Sequence, residues 1–200
     1  MKLRGSMKYL LPGFLALILS SSALAVDAID TIGIMLDSES TQLVWDTTVQ
    51  TSAPFETLTL YVMIAGPTLG GVSGFECCVI MEGEGAIAWN WSAGSLIPEP
   101  IGSCFQAGFP VRSPNTSDMV MVAYGTGIVR DPTDVLRVKI QGVPGSASFP
   151  DSPGYAGPSS GDLMALAVPN GDNSVASFVI NGLPIANESM QWSQIKSLYR

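Results

Sequence analysis

Few residues in this 200-residue chain have chemistry to offer, and no histidine is among them. Without an imidazole, Ser-His-Asp and Cys-His mechanisms and His-ligated zinc are closed. The cysteines are Cys77, Cys78 and Cys104. A thiol with no base beside it is a weak nucleophile, and three cysteines make an incomplete zinc set, so a disulfide is the chemistry they suit. Carboxylates are the remaining acid/base candidates: Glu82 with Glu84, Asp131 with Asp134, and Asp37 with Glu39. A glycosidase sets two carboxylates roughly 5 to 9 Å apart across a cleft, from distant chain positions. Pairs this close in sequence read as solvated loop charge. Asp131, Asp134 and Asp172 lie in the turn clusters Asp131-Pro132-Thr133-Asp134 and Asn170-Gly171-Asp172-Asn173. They offer the oxygen ligands calcium takes, yet neither cluster follows the calcium-loop pattern, and side-chain-to-backbone turn bonds are their simpler use. Calcium is therefore the one candidate ion, and no other cofactor is expected.

Trp89-Asn90-Trp91 places two indoles on one face of a strand, one pleat repeat apart. Such a pair can stack on sugar rings or fill a core, and the core or half-core place is the favoured reading. Trp45, in the polar stretch Gln42 to Gln50, is the better candidate for an exposed aromatic. Trp45, Trp89 and Trp91 are thus the candidate ligand-binding residues. Asn90, Asn115 and Asn187 open glycosylation sequons, which matter only in a eukaryotic source.

The elements that must position these residues come after a targeting segment. Lys2, Arg4 and Lys8, the apolar run Tyr9 to Leu19, and Ala23-Leu24-Ala25 have the layout of a secretory signal peptide, residues 1–25, cleaved after Ala25. The run is short of the ~20 residues a membrane span needs. Cleavage removes three of the nine basic residues and none of the 17 acidic ones, so the formal charge moves from -8 to -11. Between Val26 and Val111 there is no Lys or Arg. This acidity argues against nucleic-acid partners, and after cleavage no membrane association is expected. A periplasmic or extracellular location follows, where a disulfide persists.

The processed chain reads as one all-β domain, residues 26–188, of about nine strands in a two-sheet Ig-like or jelly-roll sandwich. The expected strands are Thr31–Leu36, Leu58–Ala65, Val72–Met81, Ala86–Trp91, Cys104–Val111, Met119–Val129, Val135–Ile140, Leu163–Val168 and Val175–Ile180. Gly142 to Asp162, rich in Pro, Gly and Ser, reads as a long irregular loop, with Phe149 and Tyr155 available to pin it. On Val72–Met81, Phe75, Cys77, Val79 and Met81 share the face that looks like core, and Cys78 lies on the other. Phe105, Phe109 and Val111 turn Cys104 outward on its strand. Facing therefore favours Cys78–Cys104 with Cys77 a buried thiol; Cys77–Cys104 is the alternative. Residues 189–200 read as a short helix or tail, with Trp192, Ile195 and Tyr199 on one face and Lys196 and Arg200 near its end. It either docks on the sandwich or is recognised by a sorting or assembly partner.

The succession "GIMLD", "LTLYVMI" and "GGVSGFECCVIMEG" resembles secreted bacterial β-sandwich proteins of the cohesin-like and related carbohydrate-binding-module superfamily. The ending resembles that of exported proteins from environmental bacteria that close on Trp-x-x-(Ile/Val)-Lys-x-Leu-Tyr-Arg, here Trp192, Ile195, Lys196, Leu198, Tyr199 and Arg200. The resemblance implies a β-sandwich and export, and carries no activity. The expected function is a secreted non-catalytic interaction or structural protein, with a protein or glycan partner at the cell surface. The alternative is a carbohydrate-binding module using exposed tryptophans.

Overall fold

The computed structural model describes residues 29–39, 45–93 and 103–183. The expected signal peptide and the C-terminal motif from Trp192 to Arg200 lie outside these residues. Within them the chain forms eleven strands: β1 (Thr31–Met35), β2 (Thr48–Val49), β3 (Glu56–Ala65), β4 (Val72–Glu82), β5 (Ala86–Ser92), β6 (Cys104–Arg112), β7 (Met119–Val129), β8 (Leu136–Gln141), β9 (Gly154–Ala156), β10 (Leu163–Ala165) and β11 (Phe178–Ile180). Each expected strand has a counterpart, but the last two are shorter than expected: Leu163–Val168 is a strand only over Leu163–Ala165, and Val175–Ile180 only over Phe178–Ile180. β2 and β9 were not expected, and β9 corrects the reading of 142–162 as wholly irregular. Both are too short to show a period, and each exists because a longer strand offers it a free edge.

Two sheets pack face to face. One has four strands in the order β1-β3-β7-β5. The other has seven, running β10-β9-β4-β8-β11-β2, with β6 on the other edge of β4. Pairing is antiparallel except between β11 and β2. β4 organises the larger sheet. Its first half pairs with β6 on one side and β9 on the other, and its second half pairs with β8.

Alternation decides which side chains meet between the sheets. Leu60, Val62 and Ile64 of β3 face Phe75, Cys77 and Val79 of β4 and Leu136, Val138 and Ile140 of β8 in one core. On β8 the intervening Arg137 and Lys139 point away, the pattern of a strand buried on one face. At the edge beside β1 the layers are stitched together. Ile32 N–H donates to the Ala167 carbonyl at 2.8 Å, and Ala167 N–H donates to the Asp30 carbonyl at 3.0 Å. The loop after β8 folds back over the outer face of β4. Ser146 donates to Glu76 Oε1 at 2.8 Å and accepts from the Phe149 amide. Phe149 packs where a Cβ on Gly154 would stand, so only glycine is accommodated at that position.

Candidate functional site

The cysteines resolve as facing suggested. Cys78 and Cys104 are directly opposed on β4 and β6 and are joined by a disulfide. Cys77, one residue earlier, points into the core and is a free, buried thiol. Burial pushes its pKa well above the ordinary thiol value, so it stays protonated and inert. Cys78 is nonetheless only 1% exposed, although it faces away from the core.

The indole pair of β5 is turned inward. Trp89 and Trp91 are half-buried, packed against the core, and stacked with ring centroids 6.1 Å apart. Their partners on β7 are glycines: a Cβ on Gly127 would overlap the Trp89 ring, and one on Gly125 the Trp91 ring. The β5–β7 register shifts between Ile87 and Asn90, so Ala88 and Trp89 share the place opposite one β7 residue. Ala88 takes a positive φ of 51° there. Trp91 also meets the edge of Phe105 on β6, which closes the sandwich between its two sheets.

Trp45 does not stand free. One face of its ring covers Gly33 of β1, at a point where a side chain would collide with it. Its segment is tied down by Asp46, whose carboxylate accepts from the Leu36 amide at 2.7 Å. Trp45 and Tyr61 pack on a second cluster built from Met35, Met63, Ala65 and Met119, with Met121 against it. This cluster lies on the outer face of the four-stranded sheet. Tyr61 is directly opposite Tyr124 in the β3–β7 register, and Tyr124 is exposed. Trp45, Tyr61 and Tyr124 therefore stand on one outer sheet face. Sequence reasoning missed the two tyrosines and the methionines. The run from Leu58 to Ala65 is apolar on both faces, which conceals that one face is the core and the other an outer surface. The Tyr61–Met63–Ala65 alternation was the available signal.

The acidic candidates are taken up by local partners, and Glu84, Asp131 and Asp134 gather around Arg130. Glu82 pairs with Lys139 at 2.7 Å, and Asp134 with Arg130 at 2.9 Å. Asp37 accepts from the Glu39 amide, so that pair closes its own turn. Asp131 Oδ1 accepts from the hydroxyl and amide of Thr133, and Asp172 Oδ1 does the same with Ser174. These hydroxyl bonds, then the amide bonds, hold both carboxyls below the usual aspartate range. This is turn chemistry. Among the described residues no group of three or more His, Cys, Asp or Glu side chains is arranged to hold a metal ion. No helix among them is long and apolar enough to cross a membrane.

One end of the sandwich gathers turns from both sheets. The Phe55 amide donates to the Arg130 carbonyl, and the Arg130 amide to the Gly85 carbonyl. Asn181 accepts from the Thr51 amide and donates to the carbonyls of Asp131 and Asp134. Around these bonds stand four exposed apolar side chains: Phe55 (65%), Ile87 (36%), Val135 (37%) and Leu183 (87%). No protein-family model and no curated protein matches the chain.

Proposed function

We propose that this protein is an exported, non-catalytic β-sandwich that acts by contact with another macromolecule at or beyond the cell surface. The observation that carries this reading is the apolar pole of Phe55, Ile87, Val135 and Leu183. Phe55, Val135 and Leu183 come from turns tied together by hydrogen bonds, Ile87 comes from the start of β5, and large apolar side chains left exposed at one end of a sandwich suit a contact site. The signal-peptide layout and the Cys78–Cys104 disulfide support export to an oxidising compartment. The acidic processed chain favours a neutral or basic partner over a nucleic acid. The cohesin-like resemblance agrees with such a role. A photo-crosslinking residue at position 55, with a control at exposed Leu163, tests the reading on producing cells. The expected result is a discrete adduct from position 55 alone. Equal labelling from both positions, or none, sinks it.

A second reading has its own support. Carbohydrate binding would use the outer face bearing Trp45, Tyr61 and Tyr124 rather than Trp89 and Trp91, which lie on glycines inside. Glycan-array binding that disappears in Trp45→Ala and Tyr124→Ala, with the melting curve kept, would select this reading. Binding unaffected by both variants would remove it.

A further inference from the structure

The chain leaves the described sandwich at the apolar pole. Gly182 is fixed there, its carbonyl accepting from Thr48 Oγ1 at 3.2 Å and from Gln50 Nε2 at 2.8 Å. The Val135 side chain lies beside Gly182, and Leu183 follows, almost fully exposed. The pole is also where the backbone is strained. Phe55, Ala88 and Asn181 take φ angles of 58°, 51° and 57°. A bulky residue disfavours this left-handed region because its Cβ crowds a carbonyl oxygen. Phe55 is held in it by the bond from its amide to the Arg130 carbonyl, and its side chain stands in solvent. Local strain that the surroundings enforce collects at functional surfaces, and here it presents an aromatic ring.

Residues 189–200 lie outside the described residues, and their sequence matches this pole in reach, pattern and charge. The connector 184–188 spans up to about 17 Å when extended, which covers the pole. So short a tether gives an effective concentration on the order of millimolar, an advantage no free partner has. Trp192, Ile195 and Tyr199 fall at i, i+3 and i+7, the spacing of one apolar helical stripe. Such a stripe is suited to exposed Phe55, Val135 and Leu183. At the same pole Glu84, Asp131 and Asp134 gather around one guanidinium, that of Arg130, which leaves an excess of negative charge. The segment carries Lys196 and Arg200 and no acidic residue, so the signs are complementary. The other apolar surface, around Met63 and Met119, is at the far end of β3 from Glu56, roughly 20–30 Å away.

We propose that residues 189–200 dock on the apolar pole of their own chain, Trp192, Ile195 and Tyr199 covering Phe55, Val135 and Leu183, and that a partner engages the pole by displacing them. This rests on the reading of the pole as the contact site and adds what occupies it beforehand. The test places a photo-crosslinking residue at position 55 of the purified processed chain and locates the adduct by peptide mass. The expected product is an intramolecular link to residues 189–200, absent when the residue is at position 163. Trp192→Ala combined with Ile195→Ala should lower its yield about tenfold or more, since one large apolar side chain left unburied is worth roughly that factor. The same double variant should raise the partner adduct on producing cells severalfold, because the competing segment is gone. The proposal is overturned if the purified chain gives no adduct from position 55, if the adduct maps within the sandwich or joins two chains, or if the double variant leaves its yield unchanged. A partner adduct on cells without the intramolecular link removes the docking and keeps the contact reading. The intramolecular link without any partner adduct keeps the docking and removes that reading. Should the double variant fail to fold, the adduct map of the chain with Trp192 and Ile195 intact decides the matter.

Discussion

Tyr155 is fully buried, and its hydroxyl joins three parts of the molecule. It donates to Asp30 Oδ1 at 2.7 Å, in front of β1, and accepts from the Leu69 amide at 3.2 Å, in the turn before β4. Asp30 also accepts from the amide and hydroxyl of Thr68. Tyr155→Phe keeps the ring and removes this link, leaving the Leu69 amide without its acceptor. A loss of about 1–3 kcal/mol in urea unfolding is expected. Burial raises the phenol above its ordinary pKa of 10.0. An acid with a raised folded pKa stabilises fully below its unfolded pKa and loses that contribution as pH rises through the folded one. Unfolding free energy should therefore fall as pH climbs past about 10. The fall should be shallower in Tyr155→Phe, and equal slopes would refute the assignment.

At the scale of elements, paired strands explain why small residues sit where they do. Gly127 of β7 lies under Trp89, with no room for a Cβ, whereas a Cβ on Gly108 of β6 would meet nothing closer than the Ser73 carbonyl at 3.9 Å. Gly127→Ala should therefore cost about 1–3 kcal/mol by overpacking. Gly108→Ala should stay within about 0.5 kcal/mol of the parent. Thermal melts of the two variants, side by side, separate crowding from a general intolerance of alanine in strands. The disulfide works at the same scale. It ties β4 to β6 across a sequence separation of 26, so replacing both Cys78 and Cys104 by Ala should cost about 3 kcal/mol in denaturant unfolding. Replacing Cys77 by Ala tests a different physics, cavity formation inside the core, and should remain costly in the reduced protein as well.

For the whole molecule, export and charge are the matters to measure. The exported form is expected to begin at Val26 and to carry a formal charge of -11. Intact-mass measurement of protein recovered outside the inner membrane checks this directly. A mass that still includes residues 1–25 would identify the segment as an anchor instead. The asymmetry of charge also acquires a location. Arg137 and Lys139 lie on β8 in the larger sheet, Arg130 directly follows β7, and Lys139 meets Glu82 of β4 across the strand pair. The four-stranded sheet keeps an outer face of methionines and aromatics. A macromolecular partner on that face is accordingly expected to make apolar contacts.

Much of this was legible in the chain itself. Period-two alternation and Gly/Pro punctuation located nine of the eleven strands, because a half-buried strand must alternate wherever one face meets water. Side-chain parity on β4 and β6 selected Cys78 and Cys104, because a disulfide joins residues on the same face. The missing histidine removed whole classes of mechanism without any fold. Other features had no local signal. β2 and β9 are two and three residues long and exist only through pairing with distant strands. Trp45, set among polar residues, lies on Gly33 because glycine has no Cβ to hold the ring off the sheet. Tyr61, Met63, Met119 and Met121 belong to runs apolar on both faces, where composition cannot say which side is core. Only the packing of one sheet on the other decided that, and with it which methionines gather on the outer face and which pack against the core.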